Sequence, residues 1–367
     1  MKTLREVIVC GIAVAAIASA QAQINVSPLT SFGWNNDGWF APGENGYTYL
    51  GTGNLERGLA YGNNHLYLVS RNGGSNVRIL DPLTGADLGA LDTTGISGGT
   101  FNVNMVSVGG DGAIYVGNLT ANATTSPFKV YRWANESSIP TVAYSGAPLA
   151  GARLGDTLDA IGSGSATRLV AGYNSSPSVS GNNSYAIIDP TAGTATHVNM
   201  TGTTAGDFRL GITFGDASHV YGALASGANT ALRYTSYADS SGTLEATGQL
   251  LGSSALRPMD FAVVGGMPLL AIISYGDSSV RIFDVSDPAN PVQVGYGRNV
   301  VDPLANNGNG TGAVAWGDIS GNTAKLWAMS SNQGIQAFVV TVPEPASIGL
   351  AALGGLLFAA WRARRQS

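Results

Sequence analysis

Cysteine is all but missing from this 367-residue chain: the only one is Cys10, close to the amino terminus. Neither disulfides nor a thiolate metal site can therefore hold the body together. Charge is scarce as well, at 11% of residues, against roughly 25% in ordinary soluble domains. Within residues 23–341, 13 of the 18 basic and 21 of the 23 acidic residues remain, a net charge of −8. Phosphate neutralisation needs a basic surface, so a nucleic-acid partner is excluded. There are three histidines, His65, His197 and His219, with no His-x-x-x-His or carboxylate-flanked pair to bring a metal ion together. No amphipathic helix is evident between Gln23 and Thr341, and no P-loop or dinucleotide fingerprint occurs.

What is abundant is glycine, 51 residues, along with Ser, Thr and Asn, which supply surface polarity in place of charge and suit tight turns. Short β-branched and aromatic runs between these turn residues point to an all-β domain. The runs repeat. Leu59-Ala60-Tyr61-Gly62, Val106-Ser107-Val108-Gly109, Ile161-Gly162-Ser163-Gly164, Ile212-Thr213-Phe214-Gly215, Ala262-Val263-Val264-Gly265 and Val314-Ala315-Trp316-Gly317 place their glycines 47, 55, 51, 50 and 52 residues apart. A second apolar run follows each, as in His65-Leu66-Tyr67-Leu68-Val69 and Lys325-Leu326-Trp327-Ala328-Met329, across a short hairpin turn. A third ends in an Asp-containing turn, as in Val77-Arg78-Ile79-Leu80-Asp81-Pro82 and Tyr185-Ala186-Ile187-Ile188-Asp189-Pro190. A weaker fourth follows. Four strands per unit of about fifty residues predicts a six-bladed β-propeller, with seven blades as the alternative. The sixth unit stops after its third strand, Ile335 to Val340, so a segment within Ile24 to Leu50 is expected to supply the fourth and close the ring.

Candidate chemistry is thin. Gly95-Ile96-Ser97-Gly98-Gly99 fits a nucleophile-elbow pattern, but extended-looking residues follow where a helix is required, so it reads as a loop. Near the repeat glycines stand Arg57, Asn104, Asp159, Arg209 and Asp260, placed to ring the mouth of a central channel. Trp34 and Trp39, with Phe40, either stack on sugar rings or pack against a blade. The turns Asp111-Gly112, Gly215-Asp216 and Gly317-Asp318 lack the alternating spacing that gives one ion several oxygens. No cofactor is expected, and Ca²⁺ only as an adventitious ligand of those turns.

The ends of the chain carry addresses. Lys2 and Arg5 precede an apolar run, Val7 to Ala18, and Ala20-Gln21-Ala22 places small residues for cleavage after Ala22, the pattern of a secretory signal peptide. Cys10 lies at the start of that run, where a lipoprotein would need it at the end. At the other terminus stand Pro343-Glu344-Pro345, an uncharged stretch from Ala346 to Trp361, then Arg362, Arg364 and Arg365. The stretch is a marginal membrane span, and the arginines would remain cytoplasmic. This tail resembles the PEP-CTERM sorting signal. The resemblance implies recognition of Pro343, Glu344 and Pro345 by an exosortase, in a Gram-negative bacterium that makes extracellular polysaccharide or biofilm. The run Val280-Arg281-Ile282-Phe283-Asp284-Val285-Ser286-Asp287-Pro288 also resembles the LVIVD repeat of bacterial surface propellers, which implies fold and no activity.

The expected organisation is a signal peptide (1–22), a propeller (23–341) and a sorting signal (342–367). The expected function is an exported, exosortase-sorted binding or structural component of the cell surface or matrix, with exopolysaccharide or a surface protein as partner. The alternative is an extracellular hydrolase or lyase acting on a sugar or lactone at the channel mouth.

Overall fold

The computed structural model describes residues 23–176 and 178–344. The expected membrane segment, the signal peptide with Ala20 and Ala22, and Pro345, Arg362, Arg364 and Arg365 lie outside these. Among the described residues the chain is all-β, with two 3₁₀ turns and no helix long and apolar enough to cross a membrane. Six sheets, antiparallel but for one added strand in blade 4, form six blades. Blade 1 comprises Glu56–Gly62, His65–Ser70, Asn76–Leu80 and Asp87–Ala90; blade 2 comprises Phe101–Val108, Ile114–Leu119, Phe128–Trp133 and Thr141–Gly146. Blade 3 comprises Asp159–Ile161, Arg168–Gly172, Tyr185–Asp189 and Thr194–His197; blade 5 comprises Leu256–Val264, Met267–Ser274, Val280–Asp284 and Val292–Gly297.

Blade 6 has Gly312–Ser320, Thr323–Ser330 and Ile335–Thr341, and its fourth strand is Asn25–Pro28 from the opposite end of the chain. That strand pairs Asn25 with Thr341 and Pro28 with Phe338, closing the ring as the repeat count requires. Trp39–Phe40 adds a second short pairing to the same edge. Blade 4 departs from the repeat. After Ile212–Asp216 and His219–Ser226 it extends a long hairpin, Asn229–Ala238 and Ser241–Leu250, whose edge carries a fifth strand, Asn199–Thr201, in parallel.

The continuous apolar runs of the second strands follow from this architecture. Side chains alternate across a strand, and a strand covered on both faces is apolar throughout. Leu66 and Leu68 face the seam with blade 6, whereas Tyr67 and Val69 face the seam with blade 2. In blade 5, Leu269, Ala271 and Ile273 turn to blade 6 while Leu270 and Ile272 turn to blade 4. The hydrophobic core is thus six separate seams, one per pair of neighbouring blades.

The seam that closes the ring is packed with additional aromatics. Phe32, Phe40, Tyr49 and Leu50 fill it against Leu59, Trp327 and Met329, and Tyr61 stacks on Trp327 at 4.9 Å between ring centroids. The repeat glycines serve close approach at two positions. A Cβ on Gly62 would lie 2.5 Å from Val108 of the next blade, and one on Gly317 would lie 2.3 Å from the Trp327 ring. Third-strand turns repeat because their aspartates do the same work. Asp81 Oδ1 accepts the amides of Leu83 and Thr84, and Asp189 Oδ1 accepts those of Thr191 and Ala192.

Candidate functional site

The six inner strands run in one direction around the axis, each beside its neighbours and the sixth beside the first. Their amino-terminal ends meet at one mouth of the channel. A cavity of ≈ 200 Å³ lies on the axis beneath. Ala60, Ser107, Asp159, Thr213, Asp260 and Ala315 pair with Tyr67, Tyr115, Val170, Tyr221, Ala271 and Trp327 on the second strands of their blades, so they form one tier around it. Blades 2 to 5 contribute polar side chains to this tier and blades 6 and 1 contribute alanines.

Thr213 joins the two aspartates. Its hydroxyl lies 3.0 Å from Asp159 Oδ2 and 3.4 Å from Asp260 Oδ1. Each carboxylate also accepts an amide from the next blade: Phe214 N–H donates to Asp159 at 2.8 Å, and Trp316 N–H donates to Asp260 at 2.8 Å. Asp159 further accepts its neighbour Ala160 N–H at 2.7 Å, and Asp260 accepts Phe261 N–H at 2.8 Å. Both aspartates are half-buried, because they face the lumen, while protein encloses them on all sides. Desolvation raises both carboxyls. Asp260, also opposed by the charge of Asp159, is pushed up to about 8. Both shifts favour the protonated form, and the Thr213 hydroxyl lies between the two carboxyls.

Arg57 and Arg209 sit higher, at the mouth, so the expected single ring of charge is split into two levels. Arg57, 7% exposed, donates to Thr311 Oγ1 at 2.6 Å and Ser331 Oγ at 3.2 Å. Arg209 Nε lies 3.2 Å from Asp156 Oδ2. Asp156 also takes a forked contact from Arg153, at 2.7 and 2.6 Å. Burial works against the charge of Arg57, Glu56 beside it favours that charge, and Asp156 and Arg153 act on it more weakly across the mouth. Asn104 Nδ2 donates to Gly155 O at 2.6 Å, which ties blade 2 to the loop before blade 3. Arg257 completes the mouth, its guanidinium 4.8 Å from the Tyr275 ring centroid and against Gly310, next to Thr311. Sequence reasoning missed Arg153, Asp156 and Arg257. The first two lie in an irregular loop, and Arg257 carried no motif.

Trp34 and Trp39 are not brought to the channel. Trp39 pairs with the outer edge of blade 6 and donates Nε1–H to Gln333 O at 2.9 Å. Trp34 is 51% exposed, with its amide on Glu44. His65 pairs with Glu136 at 2.6 Å and His219 with Asp216 at 2.8 Å, equivalent places at the start of second strands but different partners. Ser97 of the elbow-like loop exchanges backbone hydrogen bonds with the Tyr131 hydroxyl. Among the described residues no group of three or more His, Cys, Asp or Glu is placed to hold a metal ion.

Both ends of the propeller leave from the face opposite this mouth. Asn25 pairs with Thr341, and Thr341 pairs with Thr323 of the hairpin turn that ends the inner strand of blade 6. Val342 is still held, its amide donating to Asn322 O at 2.8 Å and its carbonyl accepting from Asn322 Nδ2 at 2.7 Å. Glu344 is exposed. The Pro-Glu-Pro segment thus begins where the domain lets go of the chain.

Comparison with known proteins places these features. A DUF4623 model, a domain of unknown function, matches residues 10–175, and a PEP-CTERM protein-sorting motif matches residues 341–365. No curated protein sequence matches the chain. Among solved structures, a DUF4623 family protein from Bacteroides eggerthii aligns with a TM-score of 0.57 at 16% identity, over 87% of this chain and 76% of that one. A protein of unknown function from Dyadobacter fermentans aligns with a TM-score of 0.48 at 10% identity, over 79% and 95%. The first likeness supports the fold. The chain is a six-bladed β-propeller that a DUF4623 model matches over residues 10–175 and that bears, at 341–365, a PEP-CTERM motif marking it for export and exosortase sorting.

Proposed function

We propose that the propeller is a binding component of the outer cell surface or its matrix, delivered by its tail and working through the channel mouth. The observation that carries this is positional. The sorting motif starts at the end of the strand that closes the ring, on the face from which both termini leave. Anchored there, before or without cleavage, the protein turns its polar mouth outward. We further propose the organisation 1–22, 23–341 and 342–367 as signal peptide, propeller and sorting signal. The test is fractionation of cells carrying the full chain with a tag inserted at an exposed turn, followed by a glycan array on the purified mature protein with and without Ca²⁺. Recovery in the surface or matrix fraction with a saturable glycan ligand supports the reading. Recovery in the cytoplasm, or a surface protein that retains neither glycan nor surface protein, contradicts it.

A second reading rests on one observation, Asp159 and Asp260 bridged by the Thr213 hydroxyl beside an axial cavity. Two carboxyls held in different protonation states are the requirement of acid–base hydrolysis or elimination on a sugar or lactone. Turnover that disappears in both Asp159→Asn and Asp260→Asn supports it. A stable protein without turnover on a panel of lactones and glycosides refutes it.

A further inference from the structure

We propose that the arginine-lined mouth is a receptor for an oxyanion, the carboxylate or phosphate group of a small solute, docked over the axial cavity. This rests on the binding reading above and narrows it to a ligand class.

The argument is one of charge that the fold does not cancel. The body has a net charge of −8, yet Arg57, Arg153, Arg209 and Arg257, four of its 13 basic residues, converge on one mouth. Asp156 serves Arg153 and Arg209 together, so one carboxylate answers two guanidinium groups. Among the described residues Arg57 and Arg257 have no ion-pair partner. Arg57 is nearly buried and is held only by the neutral hydroxyls of Thr311 and Ser331. Glu56, the other nearby acid, is 1% exposed with Oε1 turned to the Gly51 amide, and its burial favours the uncharged form.

A desolvated arginine without a carboxylate is costly to a fold and normally acquires a partner. Here Arg153 and Arg209 remain about a third exposed, so the mouth is open to solvent where the partner would arrive. Guanidinium forks match the paired oxygens of carboxylate and phosphate. A recess walled by low-dielectric protein focuses such a field.

The test is calorimetric titration of the purified mature protein with galacturonate, inorganic phosphate and galactose, repeated with Arg257→Gln, Arg209→Gln and Arg168→Gln. Arg168 pairs with Asp189 at the opposite end of its blade and reports non-specific charge effects. A charge-assisted hydrogen bond contributes about 1.5–3 kcal/mol, so each mouth substitution should weaken the anion about 10–100-fold. Arg168→Gln should leave affinity unchanged, and added salt should weaken binding. Binding of both anions upholds the shared chemistry; galacturonate alone assigns a carboxylated saccharide, and phosphate alone assigns the free ion. Galactose binding as well as galacturonate, binding indifferent to Arg209 and Arg257, or no anion bound at about 10 mM overturns the proposal. In the first case the surface-binding reading survives without it. Should one variant fail to fold, the other and the salt dependence carry the test.

Discussion

Asp260 makes the propeller more stable in mild acid than in mild base, the reverse of the usual behaviour of carboxylates. Its folded carboxyl is pushed from 3.8 to about 8 by desolvation and by the charge of Asp159. Below about pH 4 the group is protonated in both folded and unfolded chains and costs nothing. As pH rises, the unfolded chain ionises first, so the folded state loses relative stability until about pH 8, where the full cost is present. At about 1.4 kcal/mol per pH unit the ceiling is roughly 6 kcal/mol, and the partial exposure of Asp260 to the lumen lowers the expected effect to about 2–4 kcal/mol. Asp216, Asp277 and Asp287 are shifted downward by their hydrogen bonds and act with the opposite sign, but only at lower pH. Urea unfolding at about pH 5 and about pH 8.5 spans the Asp260 window, in which Asp159 and Glu56, raised by burial, act with the same sign and His197, lowered by burial, with the opposite one. The wild-type protein should be more stable by about 2–4 kcal/mol at the lower pH. Asp260→Asn should flatten this dependence, gaining stability at the higher pH while losing about 1 kcal/mol at the lower, where the side-chain amide, with one acceptor oxygen, can serve only one of the Phe261 and Trp316 N–H groups. A wild-type protein less stable at about pH 5, with Asp260→Asn parallel to it at both values, would refute the reasoning.

Other substitutions test the remaining levels of the structure. Deleting residues 24–28 removes Ile24 from the blade 5–6 seam and the pairing with Phe338 to Thr341, so denaturant unfolding should register a loss of about 5 kcal/mol and size exclusion should detect association through the bared edge. Gly317→Ala drives a methyl into Trp327 and should cost about 1–3 kcal/mol, whereas Gly276→Ala, with nothing within 4 Å, should be nearly neutral; equal melting temperatures for the two would contradict the packing. Asp156→Asn should lower stability by about 3 kcal/mol while strengthening anion binding several-fold, because it frees Arg153 and Arg209; weaker anion binding in a folded variant would count against the oxyanion site.

The periodic part of this structure was legible in the sequence because propeller blades bury both faces. Runs such as Leu66 to Val69 and Leu269 to Ile273 are apolar without interruption, and their spacing gave six blades. The missing fourth strand of blade 6 was legible by subtraction, and Asn25–Pro28 fills it. The channel was harder to read. Asp159 and Asp260 precede their repeat glycines by five residues and Thr213 precedes its own by two, so nothing in the spacing shows that all three share one tier. Longer first hairpins in blades 3 and 5 absorb the difference: Asp159 pairs with Val170 and Asp260 with Ala271, whereas Thr213 pairs with the nearer Tyr221. Arg153 and Asp156 lie on a loop outside the repeat, and their pairing exists only in three dimensions. Ring closure carries Trp39 to the outer edge of blade 6, a place that its position ahead of blade 1 in the sequence does not show.

Export and sorting are tested most directly by the intact mass of the protein recovered from a Gram-negative host with an exosortase and from the same host without it. The chain should lose its first 22 residues in both, and lose further mass at the carboxyl end only where the exosortase is present. Pro343→Ala with Pro345→Ala should abolish the second loss alone. A product running to Ser367 in the exosortase-bearing host, indistinguishable from the proline variant, would contradict it.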